Sequence, residues 1–224
     1  MKITAVIPAR LGSSRVKEKV LLPYGDGDTL LSWKIKQLQK VLPNEQIYVS
    51  SESNKILDVA RELGVMIHNR NPYLSDGHKA SFSEVIYGIV KEIPAEHIAW
   101  TTVVCPLTNE LHFEQCFKQY NKVINSQEYD SLVAVTEAKD YYWDKTGPLN
   151  YQATKDHTIS QELPNWYKVT NSLYMAPKEV VMSEKYILGK KPYLEVLPKI
   201  AGVDIDDWFD YQVALLMHGV KDGL

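Results

Sequence analysis

The chain has 224 residues, of which 45% are hydrophobic and 24% charged, the profile of one α/β domain with a modest insert. That composition excludes a disordered tail, a collagenous chain and a coiled coil, and a chain of this size can bury roughly 70% of the surface its unfolded form exposes. Net charge is −3, from 25 basic and 28 acidic residues, which argues against a nucleic-acid binder that depends on phosphate contacts.

No apolar run approaches the ~18 residues of a membrane span, and the first residues lack the apolar stretch and cleavage site of a signal peptide. Cys105 and Cys116 make neither a disulfide framework nor a close metal-ligand pair. The expectation is a cytoplasmic protein with no membrane and no nucleic-acid partner. Residues 2–8 form an apolar run ending in Pro8 and read as a buried first strand. Residues 29–41 carry Leu30, Leu31, Ile35, Leu38 and Val41 near helical spacing, with Thr29 as the N-cap. A second strand is expected at 46–50, a helix at 53–63 closed by Gly64, and a third strand at 65–68. Helices at 81–93 and 110–125 then alternate with strands at 97–104 and 131–136. Four strand–helix alternations in 136 residues predict a mainly parallel sheet covered on both faces. Ligands of such sheets bind outside the carboxyl ends of the strands, so residues 8–19, 50–54, 68–81 and 105–109 carry the interest.

Residues 138–176 break the alternation. They hold Tyr141, Tyr142, Trp143, Trp166 and Tyr167 among polar stretches, and read equally as a β-rich flap over the site or a dimerisation arm. A last strand is expected at 202–206 and a closing helix at 207–217. Trp33, Trp100 and Trp208 are expected in the core, and the six histidines, without metal-ligand spacing, receive no chemistry.

Two constellations carry chemistry on their own. Arg10, Arg15, Lys17 and Lys19 stand with Gly12, Ser13 and Ser14 directly after the first strand. Small residues let backbone N–H groups turn toward an anion while the cations neutralise it, although the spacing is neither a P-loop nor G-x-G-x-x-G. Near the other end, Asp204 and Asp206 fall at i and i+2, on one face of a strand. Two such carboxylates can share a hard cation such as Mg²⁺, which takes one or two protein carboxylates besides phosphates and water. Acidic pairs are also common on loops, and Asp-x-Asp occurs in glycosyltransferases.

Ile7-Pro8-Ala9-Arg10 with Gly12-Ser13 and Lys19 resembles the N-terminal signature of CMP-sugar synthetases, the cytidylyltransferases that activate acylneuraminates, other nonulosonic acids and 3-deoxy-manno-octulosonate (Kdo). The resemblance implies that Ala9, Arg10, Gly12, Ser13, Arg15 and Lys19 surround the CTP phosphates. Arg70-Asn71-Pro72 with Ser81 resembles the nucleotide-contacting segment of the acylneuraminate branch, although Ser81 also suits an N-cap. Cys105-Pro106-Leu107-Thr108 resembles the family's Ser-Pro-Leu-Arg turn, which adds Pro106 to the nucleotide side and makes Cys105 a buried filler. Gln161-Glu162-Leu163-Pro164 with Asn171 and Tyr174 resembles the sugar-side motif, assigning Gln161, Asn171 and Tyr174 to substrate. Val203-Asp204-Ile205-Asp206 resembles the family's metal motif and assigns Mg²⁺ to Asp204 and Asp206, with Arg10, Lys19 and Asp206 as the catalytic set. Later motifs lie closer to the acylneuraminate branch, while Gly12-Ser13-Ser14-Arg15 lies closer to the Kdo branch.

The resemblance implies a three-layer, Rossmann-like α/β fold of the nucleotide-diphospho-sugar-transferase type. A single domain would span 1–224, with an aromatic-rich insert at 138–176. It also implies transfer of CMP from CTP to a 2-keto-3-deoxy sugar acid of the sialic-acid-like class, by a homodimer, for surface glycans. Transfer to Kdo or another sugar or alcohol, and nucleotide binding without catalysis, are the alternatives.

Overall fold

The computed structural model describes residues 1–12 and 15–219. Seven strands form one sheet: β1 (Ile3–Pro8), β2 (Ile47–Ser51), β3 (Met66–Asn69), β4 (His97–Thr101), β5 (Ser131–Ala138), β6 (Trp166–Pro177) and β7 (Pro192–Val196). Their spatial order is β7-β5-β6-β4-β1-β2-β3. All neighbours run parallel except β6, which is antiparallel to both β4 and β5. The helices are α1 (Leu30–Gln39), α2 (Asn54–Glu62), α3 (Phe82–Val90), α4 (Glu110–Ser126), α5 (Lys178–Glu184) and α6 (Trp208–Leu216).

Alternation along the strands sorts the helices into two layers. Ala5 and Ile7 of β1, with Val49 and Ala99, pack against α1, α2, α4 and α6. Val6 faces the other way, with Trp100 and Tyr174, against α3 and α5. The result is the expected three-layer, mainly parallel α/β architecture. Helix starts follow local chemistry: Thr29, Ser81, Asn109 and Asp207 each close a capping box. Among the described residues no helix is long and apolar enough to cross a membrane.

The C-terminal third departs from expectation. The stretch 138–176 divides in two. A short hairpin, Trp143–Asp144 with Gly147–Pro148, and a turn of 3₁₀ helix at Ser160–Glu162 lie outside the main sheet. From Trp166 the chain re-enters as β6, a central strand. Its first residues alternate weakly because only its second half is buried between β4 and β5. Strand β7 and helix α5 occupy residues to which the sequence pattern assigns no element. No strand forms at 202–206; a 3₁₀ turn, Lys199–Gly202, leads into extended backbone without a ladder. Trp208, expected in the core, is 53% exposed, whereas Trp100 is buried. Trp208 opens α6, a helix that buries only Tyr211 and Ala214.

Candidate active site

The carboxyl ends of β1 and β4 open onto a cavity of about 590 Å³. Pro8, which ends β1, and Thr102, just beyond β4, line it together with Arg10, Arg70, Asn171, Tyr174, Asp204 and Asp206. An adjoining cavity of about 270 Å³ shares Pro8, Arg10, Thr102 and Val104 and adds Arg15 and Lys19. Cations from the first loop and carboxylates from near the chain's end therefore meet across one concavity.

The basic loop is anchored at both ends. Ala9 is buried, its N–H donates to the Ser50 carbonyl (3.0 Å), and its own carbonyl accepts from Arg70 Nη2 (2.6 Å). At the far end Lys19 is 8% exposed and its Nζ donates to the Ile205 carbonyl. Burial lowers the Lys19 pKa, against the opposing pull of Asp206 and then Asp204. Arg15 Nη2 reaches Asp206 Oδ1 at 2.6 Å. Gly12 has open space around it, and Ser13 lies outside the described residues.

The two carboxylates flank Ile205, which is fully buried, and both line the main cavity. Ile205 fixes the segment: its N–H donates to the Val104 carbonyl (2.9 Å) while its carbonyl accepts from Lys19. The i, i+2 placement expected of a strand is thus achieved by extended backbone held through one residue. Burial raises the Asp204 pKa; the bond from Asn171 opposes this and the Asp206 charge adds to it.

Asn171 stands at φ 59°, inside the register shift between β6 and β5 at 169–174. A left-handed residue in a strand marks a bulge that re-aims its side chain. Here Asn171 Nδ2 donates to Asp204 Oδ2 (2.8 Å), Asn171 Oδ1 accepts from Tyr174 Oη (2.6 Å), and its carbonyl accepts from Thr102 Oγ1 (2.7 Å). Asn171 and Tyr174, expected on the sugar side, therefore hold a carboxylate in place as well as lining the cavity.

Among the described residues, five expected site residues do not line either cavity: Ala9 and Gly12 of the basic loop, and Ser81, Pro106 and Gln161. The Ser81 hydroxyl accepts from Glu84 N–H (3.2 Å) and donates to Glu84 Oε2 (2.7 Å), closing the capping box of α3. The Pro106 carbonyl is used inside the protein by Trp33 Nε1 (3.0 Å) and Gln37 Nε2 (3.2 Å). Gln161 sits exposed on the 3₁₀ turn, where its carbonyl accepts from Lys139. Cys105 is a buried thiol donating to the Thr170 carbonyl, with its pKa pushed up by burial, which suits the filler role.

Sequence reading passed over Thr102, Lys34 and Glu52. Lys34 is wholly buried on α1 and donates to the carbonyls of Cys105 (2.9 Å) and Thr108 (3.0 Å). A lone Lys on a helix gives no local sign of this. Glu52 lies in the 50–54 segment that its place after β2 marks, but a single acidic residue there looks like solvated surface.

Among the described residues no group of three or more His, Cys, Asp or Glu side chains gathers for a metal. The donor set that does exist is Asp204 and Asp206: hard oxygens, mutually repelling and facing a cavity. That suits an ion completing its shell with phosphate and water.

A family model described as cytidylyltransferase matches residues 4–193. The N-acylneuraminate cytidylyltransferase of Escherichia coli O18:K1:H7 is 23% identical over 99% of this chain, which spans 53% of that protein. So the chain covers about half the length of that relative. A pseudaminic acid cytidylyltransferase of Campylobacter jejuni serotype O:2 is 24% identical over 99% of this chain and 98% of its own length. Among solved structures, CMP:2-keto-3-deoxy-manno-octonic acid synthetase complexed with CTP aligns with a TM-score of 0.67 at 13% identity, covering 97% and 98% of the two chains. The 4-diphosphocytidyl-2C-methyl-D-erythritol synthase of Anaerococcus prevotii aligns at 0.64 and 13% identity, over 96% and 94%. At such identities these structures speak for the fold.

Proposed function

The chain belongs to the cytidylyltransferase family, and from that premise we propose that it transfers CMP from CTP to a 2-keto-3-deoxy sugar acid of the sialic-acid-like class. The product would be a CMP-sugar for surface-glycan synthesis. One observation carries the reading: Arg10 and Arg70 share a single cavity with Asp204 and Asp206, at the carboxyl ends of the strands. Relatives named for N-acylneuraminate and pseudaminic acid support the substrate class.

In the reaction the sugar's anomeric hydroxyl oxygen forms a bond to the α-phosphorus of CTP. The bond from that phosphorus to the bridging oxygen breaks, pyrophosphate leaves with the electron pair, and the hydroxyl proton passes to solvent. No covalent enzyme intermediate is needed, so catalysis is positioning and charge neutralisation. Arg10, Arg15 and Lys19 would hold the departing pyrophosphate, and Arg70 the nucleotide. Asn171 and Tyr174 keep the Asp204 carboxylate turned to the cavity. Cytidylyltransferases of this type generally use a divalent metal. Asp204 and Asp206 would hold one, Mg²⁺ in our reading, whose charge polarises a bound phosphate. The setting we propose is the cytoplasm, and the partner a second copy of the chain. Trp143, Trp166 and Tyr167, exposed on the 138–176 stretch, support such a contact.

Pyrophosphate release with CTP against a panel of sialic, pseudaminic, legionaminic and octulosonic acids tests the reading. Turnover with a nonulosonic acid is expected. Turnover with Kdo alone would move the substrate class, and CTP binding without turnover on any acid would sink the transferase.

A further inference from the structure

Glu52 stands just past β2, and its carboxylate is 21% exposed. One of its oxygens, Oε2, accepts two bonds: from Arg70 Nη2 at 2.9 Å and from the Ser75 hydroxyl. The Arg70 nitrogen that it holds also donates to the Ala9 carbonyl, so Glu52 fixes a guanidinium under the basic loop. The Ser75 that it holds is gripped a second time, since the Ser75 carbonyl accepts from Arg10 Nη1 at 3.1 Å. Both arginines of the larger cavity therefore depend on the same carboxylate, Arg70 directly and Arg10 through Ser75.

The segment between them fits closely. Residues Pro72–Ser75 form a 3₁₀ turn. Leu74 lies where a Cβ on Gly88 of α3 would stand 2.4 Å from Leu74 Cδ1, and a Cβ on Gly77 would stand 2.6 Å from Arg10 Nη1. Absent side chains thus make room for the turn on one side and for Arg10 on the other. Among the described residues Arg70 Nε is buried without a partner, an arrangement worth an explanation in a native protein. Among the described residues, the hydrogen bonds that hold that guanidinium go to the Glu52 and Ala9 oxygens. Arg10 and Arg70 also repel each other, and Glu52 supplies the negative charge that lets both stay. Burial opposes its ionisation, yet the bonds from Ser75 and Arg70 outweigh that and keep its pKa below the ordinary range.

We propose that Glu52 is the positioning residue of the nucleotide side, setting CTP affinity by holding Arg70 and the 72–77 segment in binding geometry. It touches no reacting atom, so its effect falls on binding rather than on turnover. The functional half of this statement rests on the CTP reading above; the structural half does not.

The test compares Glu52→Ala, Glu52→Gln and wild type in the full chain by two independent readouts. The first is amide hydrogen exchange at 70–80 without nucleotide, where faster exchange is expected in Glu52→Ala. The second is CTP affinity by calorimetry alongside steady-state kinetics. Loss of a charged hydrogen-bond hub predicts Kd and KM for CTP raised about 10- to 100-fold, with kcat within about threefold. Glu52→Gln keeps an acceptor for Arg70 and should recover part of the affinity, which guards against an alanine variant that fails to fold. Wild-type exchange at 70–80 in both variants would overturn the proposal, as would a fall in kcat with KM unchanged. A wild type that binds no CTP would overturn the transferase reading instead, and the exchange result would then decide the role of Glu52 on its own.

Discussion

The two rims of the cavity carry opposite charge and are built in different ways. Arg10 and Arg70 follow directly from the ends of β1 and β3, strands held in a parallel ladder through β2. Asp204 and Asp206 stand on backbone that belongs to no ladder. The Val104 carbonyl, Lys19 and Asn171 hold them from three separate parts of the chain. At the strand ends the sheet places the backbone, whose many bonds tolerate single changes, and only the guanidinium groups depend on Glu52. A coil segment is placed by a few side chains, so single changes should displace it. The acidic rim is thus the more fragile of the two.

The sharpest break is Asp206→Ala. Losing one carboxylate from the charge-neutralising pair should lower pyrophosphate release by about 10²- to 10³-fold. Its side chain is 52% exposed, so the melting temperature should stay within about 2 °C. Normal turnover would remove this residue from the catalytic set. Lys19→Ala strikes where the rims touch. Removing a charged donor should raise KM for CTP by about 10- to 100-fold, and kinetic constants equal to wild type would end its phosphate role.

A smaller effect probes what lies beneath the acidic rim. Lys34 ties down the turn after β4, and Thr108 of that turn donates to the Ala201 carbonyl just ahead of the carboxylates. Burial lowers the Lys34 pKa from 10.5 to about 7. Between those values the unfolded chain binds more protons than the folded one, so this residue makes stability rise with pH across that window. Urea melts at pH 7, 8 and 9 should show the rise, and Lys34→Met should flatten it. An unchanged slope would mean that the ammonium stays charged in its carbonyl cage. The smallest effect is that of Ser81→Ala, which removes the cap of α3. It should cost about 1 kcal/mol in denaturant melts and leave KM for CTP alone. A tenfold rise in KM would return the hydroxyl to the nucleotide.

Legibility in the sequence follows the same division. The basic loop could be read because Arg10 and Lys19 lie a few residues from a strand whose apolar run is unmistakable. Asp204 and Asp206 could be read as a pair, but their support could not. Asn171 is 33 residues from Asp204, and nothing in its neighbours announces the bulge. Gln161 and Pro106 are expected at the site because their motifs fit the family's. The structure gives the Pro106 carbonyl to α1 and leaves Gln161 outside both cavities. A motif preserves spacing along the chain, whereas an oxygen's partner is chosen by what packs beside it.

By itself the sequence determined the alternation of strands and helices to residue 136, the caps Thr29 and Ser81 and the covered, mainly parallel sheet, because periodicity and capping act over three or four residues. It also determined that cations follow the first strand and that carboxylates come near the end. Only the tertiary structure decided that β6 runs antiparallel through the middle of the sheet. Contacts 18 to 186 residues apart also decided that one buried isoleucine turns both carboxylates to the cavity and that Glu52 joins the two arginines. Such contacts form only when the sheet closes, and no window of sequence contains both partners.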